Sequence, residues 1–130
     1  MLQPGNHGTT FGGNPLAMRA AIETLRVIEA EGLLQNAQSV GEHLRAALRH
    51  ALAGEAGVLD VRGEGLMIGV ELARPCGVLL GRAADAGLLL SVTADRVIRL
   101  VPPLILSLSE AEQIVSILAP LIKDFLREPA

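Results

Sequence analysis

From Leu16 to Leu52, apolar residues recur every three or four positions, the spacing that gathers them on one face of an α-helix. Leu16, Ala20, Ala21, Leu25 and Ile28 form the first series. Asn14 followed by Pro15 marks its start, because an Asn side chain can accept an orphan backbone N–H and proline suits the first helical position. Gly32 is a natural stop, so a first helix is predicted from about Pro15 to Glu31. Leu33, Ala37, Val40, Leu44, Ala47, Leu48 and Ala51 repeat the period in a second helix to about Leu52, with Glu42, Arg45 and Arg49 on its wetter side.

The spacing changes at Gly57. Val58, Leu59 and Val61 precede Arg62-Gly63-Glu64-Gly65, and Leu66 to Leu72 follow, a pattern that predicts two strands joined by a tight glycine turn. A third helix is expected over about Gly77 to Ala86, stopping at Gly87. Leu88 to Val92 and Val97 to Leu100 then predict two more strands, ended by Pro102-Pro103. The last helix has the strongest signature: Ser109 with Glu112 fits a capping box, and Ile114, Val115, Leu118, Leu121, Ile122 and Phe125 make one apolar face to about Arg127. Helices and short hairpin-linked strands in this order predict an α+β fold, a small mostly antiparallel sheet covered on one face by helices.

At 130 residues, half of them apolar, the chain can bury a core of its own or share one with a neighbour. Its 11 basic and 14 acidic residues give a net charge of -3 without a long run of one sign, so neither nucleic acid nor a membrane surface is expected as a partner. No apolar stretch approaches the roughly 18 residues of a membrane span, and Met1 to Gly5 lack the regions of a signal peptide; a soluble, cytoplasmic protein is expected. Cys76, the only cysteine, excludes an internal disulfide and a multi-cysteine metal site, and reads as a small apolar filler. Two features point to missing polypeptide. The opening MLQPGNHGTTFG is a loop with nothing ahead to hold it, and Phe11 and Phe125 are the only aromatics, so a flat cofactor would need its stacking partner from elsewhere.

The residues His7 to Pro15, HGTTFGGNP, open directly onto the first helix. Glycines let backbone N–H groups approach an anion, two hydroxyls add donors, and the helix N-terminus supplies favourable potential. The spacing is neither a P-loop nor a dinucleotide fingerprint, and no lysine is present to neutralise a polyphosphate, so a monophosphate or carboxylate fits better than ATP. A flexible glycine loop before an ordinary helix explains the residues equally well. His7 could serve as an acid or base beside this loop, but His7, His43 and His50 are too far apart, with no carboxylate at ligand spacing, for a metal site. His43 and His50 read as helix-surface residues. Glu64 is expected in the hairpin turn facing solvent, Glu71 in a structural ion pair, and Arg99 alone reads as an ordinary ion-pair residue.

His7 to Ala17, HGTTFGGNPLA, resembles a segment of the class III aminotransferases; Arg62 to Leu72, RGEGLMIGVEL, resembles that family's RGxGLMxGxEL strand pair. Val97 to Leu104, VIRLVPPL, is similar to its VIRLxPPL segment. The three motifs stand in the family's order, and the TTFGGN form is nearest the acetylornithine and succinylornithine type. The resemblance implies the C-terminal small domain of a fold-type I pyridoxal phosphate (PLP)-dependent transferase, with residues 1–14 a phosphate-binding loop from the large-domain side and 15–130 the small domain. It implies a homodimer that moves an amino group from N2-acetylornithine or succinylornithine to 2-oxoglutarate, in arginine biosynthesis. Thr10 would then hydrogen-bond the phosphate of a PLP bound mainly by the other subunit, Thr9 would lie beside the amino donor, and Arg99 would pair with a substrate carboxylate. The turn Thr93 to Arg96 departs from the family's usual Gly/Asn-containing one.

No residue of this chain is expected to be catalytic. Transamination needs a lysine to hold the cofactor and shuttle the proton. The only lysine, Lys123, falls opposite the apolar face of the last helix, where a solvated cation near a helix C-terminus is the ordinary explanation. In the family that lysine lies upstream, on the large domain, so the chain is expected to be a fragment that does not transaminate alone. A reading from a different class is a non-catalytic module that binds an anion at the Asn14 helix start, or that self-associates.

Overall fold

The computed structural model describes Gln3 and residues 8–129, which fall into two compact units divided between Leu33 and Leu34. In the first, α1 spans Pro15–Ala30. Asn14 caps it from an extended backbone (φ -65°, ψ 153°), its side-chain oxygen accepting the Ala17 N–H at 3.0 Å. Gly32 follows the helix with φ +63°, a left-handed conformation that stops it where expected. No residue of α1 is buried, and Leu16, Met18, Ile22 and Leu25 stand exposed.

The second unit runs from α2 (Leu33–Ala51) through β1 (Val58–Glu64), β2 (Met67–Leu72), α3 (Val78–Asp85), β3 (Ser91–Thr93) and β4 (Val97–Leu100) to α4 (Leu108–Arg127). The strands form one sheet in the order β1-β2-β4-β3, every neighbouring pair antiparallel, which is the expected α+β fold. Register and the period of two decide which side chains go inside. Val61 pairs with Val70, Val70 with Ile98, and Ile68 with Leu100, and all of them are buried in one cluster with Leu44 and Leu48 of α2, Leu79 of α3 and Ile114, Leu118 and Ile122 of α4. The residues between them, Asp60, Arg62, Gly69, Glu71 and Arg99, therefore share the opposite face of the sheet.

Several local expectations are corrected. The hairpin turn is Gly65-Leu66, not the four residues from Arg62: Glu64 ends β1 opposite Met67, and Gly65 takes φ +50°. Leu59 is 55% exposed despite its apolar side chain, because the register shifts between Val58 and Asp60 and leaves it as the extra residue of a bulge. Leu88 to Leu90 stay outside β3. The capping box is Ser107 with Glu110, two residues ahead of the expected pair. Arg45 and Arg49 are not simply on a wet face: Arg45 Nη1 donates to the Gly65 carbonyl in the hairpin turn at 2.9 Å, and Arg49 Nη2 to the Val61 carbonyl of the edge strand β1 at 2.7 Å. His43 is half-buried, with Nε2 3.7 Å from Glu112 Oε1 on α4. Lys123 is likewise half-buried rather than fully solvated. Cys76 is fully buried, and burial pushes its thiol pKa up, consistent with an inert filler.

Candidate functional site

The glycine loop is shaped by its own side chains. The Gly12 N–H donates to Thr9 Oγ1 at 3.1 Å, and Asn14 Nδ2 donates to the Phe11 carbonyl at 2.6 Å while its oxygen caps α1, so one residue ties loop to helix. A Cβ at Gly12 would fall 2.2 Å from Thr9 Cγ2 and force that side chain to turn away, and Gly13 takes φ +78°, a conformation strained for any larger residue. Thr9 and Thr10 are both exposed. The Thr9 oxygen is committed to Gly12 but retains its proton for donation, whereas Thr10 makes no hydrogen bond among the described residues. A free hydroxyl before the positive end of a helix suits one phosphate group. His7 lies outside the described residues.

Arg99 sits on β4 between the buried Ile98 and Leu100, so its side chain leaves the sheet on the face away from the core. Its Nε donates to Ser91 Oγ, across the β3–β4 pair, at 3.1 Å. On its other side the register partner is Gly69 of β2, which has no side chain to crowd the guanidinium. Arg62, on the same face, is in the opposite state. Its Nη1 donates to Asp60 Oδ2 at 3.0 Å and to Glu71 Oε2 at 2.7 Å, and these two partners raise its pKa. Glu71 thus is the structural ion-pair residue expected of it. Arg99 makes no ion pair among the described residues; with Arg62, Met67, Gly69 and Val97 it lines a hollow of about 260 Å³, whose one carboxylate, Glu64, is not paired with it. Its terminal amines can hold a carboxylate in two parallel hydrogen bonds. Ser91 escaped the sequence reading; its signal was a single hydroxyl at the end of an apolar run. The threonines belong to the first unit and Arg99 to the second.

Each unit of this α+β chain thus offers one group suited to a small anion: a hydroxyl-bearing loop ahead of a capped helix in the first, and an arginine without an ion pair on the open face of the antiparallel sheet in the second. The family model for aminotransferase class-III matches residues 1–122, and the chain belongs to that family. It is 62% identical over 125 residues to acetylornithine aminotransferase 1 of Bordetella pertussis, covering 96% of this chain and 32% of that protein. To the acetylornithine aminotransferase of Nitrosomonas europaea it is 45% identical over 126 residues, 97% of this chain and 32% of the relative. Among solved structures, the acetylornithine aminotransferase of Elizabethkingia anophelis superposes with a TM-score of 0.82 at 31% identity, over 95% of this chain and 32% of that one. An ornithine aminotransferase from Plasmodium yoelii gives 0.83 at 34% identity, over 95% and 34%. The chain thus spans about a third of the length of the relatives it matches. None of these matches favours a non-catalytic regulatory module.

Proposed function

We propose that this chain is the small-domain portion of a PLP-dependent aminotransferase that transfers an amino group from N2-acetylornithine, or the succinyl analogue, to 2-oxoglutarate. The observation that carries the reading is the pairing state of the two arginines on the open sheet face: Arg62 is satisfied by two carboxylates and Arg99 by none. An arginine with no carboxylate bonded to it is ready for a substrate carboxylate, and both 2-oxoglutarate and the amino donors carry one. The names of the relatives support the choice of donor.

The loop residues fit the phosphate of PLP, since Thr10 offers an unpartnered hydroxyl and the loop backbone is shaped by glycines. In this reading residues 1–14 serve the large-domain side of the site, and Thr10 donates to a phosphate whose ring is held mainly by the partner subunit of a cytoplasmic homodimer. Thr9 lies beside the amino donor. PLP, when bound, supplies the electron sink that amino-group transfer requires. The lysine that holds it lies outside this sequence; Lys123, half-buried on α4, is not that residue.

The test is an assay of the intact enzyme carrying this sequence against acetylornithine, succinylornithine, ornithine and 4-aminobutyrate, with 2-oxoglutarate as acceptor and visible absorbance reporting the cofactor. The acetylated or succinylated donor is expected to give the highest kcat/KM, and the isolated chain no turnover. An intact protein that takes up no PLP, or that deaminates none of the donors, contradicts the reading.

A further inference from the structure

We propose that Ser91 is a positioning residue for Arg99, fixing its guanidinium so that the two terminal amines remain as the fork for a carboxylate; the inference rests on the reading of Arg99 as the carboxylate-binding arginine. A guanidinium can grip a carboxylate through its two terminal amines or through Nε and one amine. Ser91 Oγ takes Nε at 3.1 Å and leaves only the end-on mode. Ser91 Oγ accepts this bond through a lone pair, and its own proton can turn elsewhere, the Arg99 carbonyl lying 3.5 Å away.

The partner's neutrality matters as much as its place. A carboxylate at position 91 would occupy the arginine as Asp60 and Glu71 occupy Arg62, and would compete with the substrate. A hydroxyl orients the group and leaves its charge unspent. Ser91 and Arg99 are direct register partners, so the β3–β4 ladder sets their separation. A long arginine side chain otherwise loses rotamer freedom when ligand binds, and freezing it beforehand lowers that cost.

The test compares Ser91→Thr with Ser91→Val in the intact enzyme. The two replacements have the same shape and differ in the hydroxyl, and folding is checked by circular dichroism. Ser91→Val is expected to raise the KM for 2-oxoglutarate about tenfold with kcat within about twofold, and Ser91→Thr to stay near the parent. If Val and Thr give equal KM values while Arg99→Ala raises KM by more than about tenfold, the positioning role is overturned and the reading of Arg99 survives. If Arg99→Ala leaves KM unchanged, both fall. Should Ser91→Val fail to fold, Ser91→Ala replaces it and is judged by the same two outcomes.

Discussion

Ala94 and Asp95, in the turn from β3 to β4, both take positive φ, +47° and +62°. Asp tolerates the left-handed region because its short polar side chain can bond locally, but Ala has no such compensation and gives up roughly 1 kcal/mol or more there. Ala94→Gly is therefore expected to stabilise the second unit by about 0.5–1 kcal/mol, read as a rise of several degrees in thermal midpoint. The departure of Thr93 to Arg96 from a Gly/Asn-containing turn was legible in the sequence, and its consequence is backbone strain. Two carboxylates carry a pH signature. Glu110 is held below the usual glutamate range by hydrogen bonds from the Ser107 side chain and backbone, and Glu128 by its hydrogen bond with Arg82. A carboxylate whose folded pKa is lowered stabilises the fold fully above its unfolded pKa and loses that contribution as pH falls through the folded one. The midpoint should hold steady near neutrality and drop once pH passes below the ordinary glutamate range, and Glu110→Gln should make that drop shallower. An equal slope in parent and variant would remove Glu110 from the account.

Among elements, α2 lies flush on the β1–β2 hairpin because Gly41 has no side chain: a Cβ there would stand 2.0 Å from the Gly65 carbonyl oxygen, the same oxygen that Arg45 binds. Since the obstacle is backbone, Gly41→Ala is expected to cost about 3 kcal/mol in chemical denaturation, the reverse of an ordinary helix Gly→Ala change, which stabilises by about 1 kcal/mol. The four helices and the hairpin were legible because their apolar residues keep a regular period, and α1 and α3 stop at the glycines Gly32 and Gly87. The errors have physical causes. Both Ser107/Glu110 and Ser109/Glu112 satisfy the capping-box spacing, and the flanking residues decide between them. Leu106 and Ala111, before the Ser107 cap and at its fourth helical position, are both buried in the core, whereas the later start would place Leu108 and Gln113 there. Leu88 to Leu90 are an apolar run like a buried strand, yet the ladder continued from Ser91–Arg99 would set Leu88 opposite Pro102, where proline offers no N–H. The roles of Arg45 and Arg49 depended on which strand lay at the sheet edge, and that order is not written in any local pattern.

Over the whole molecule, burial separates residues that a hydropathy pattern treats alike. Ile68 is fully buried at the centre of the second unit's core, and Ile22 on α1 is 59% exposed. Ile68→Ala should cost about 2–5 kcal/mol, while Ile22→Lys should leave the stability of this chain within about 0.5 kcal/mol. Equal losses on denaturant unfolding would contradict the assigned core. The candidate residues Thr9, Thr10 and Arg99 stand out in the sequence because two motifs carry them, whereas the Ser91 hydroxyl beside Arg99 becomes visible only once β3 pairs with β4. If the Thr10 hydroxyl grips a phosphate, as proposed, the affinity of the intact enzyme for PLP reports it most directly. Thr10→Val keeps the shape and removes the donor. PLP affinity about tenfold weaker in the variant, with an unchanged thermal midpoint of the cofactor-free protein, is the predicted result. Parent and variant binding PLP equally well would contradict it.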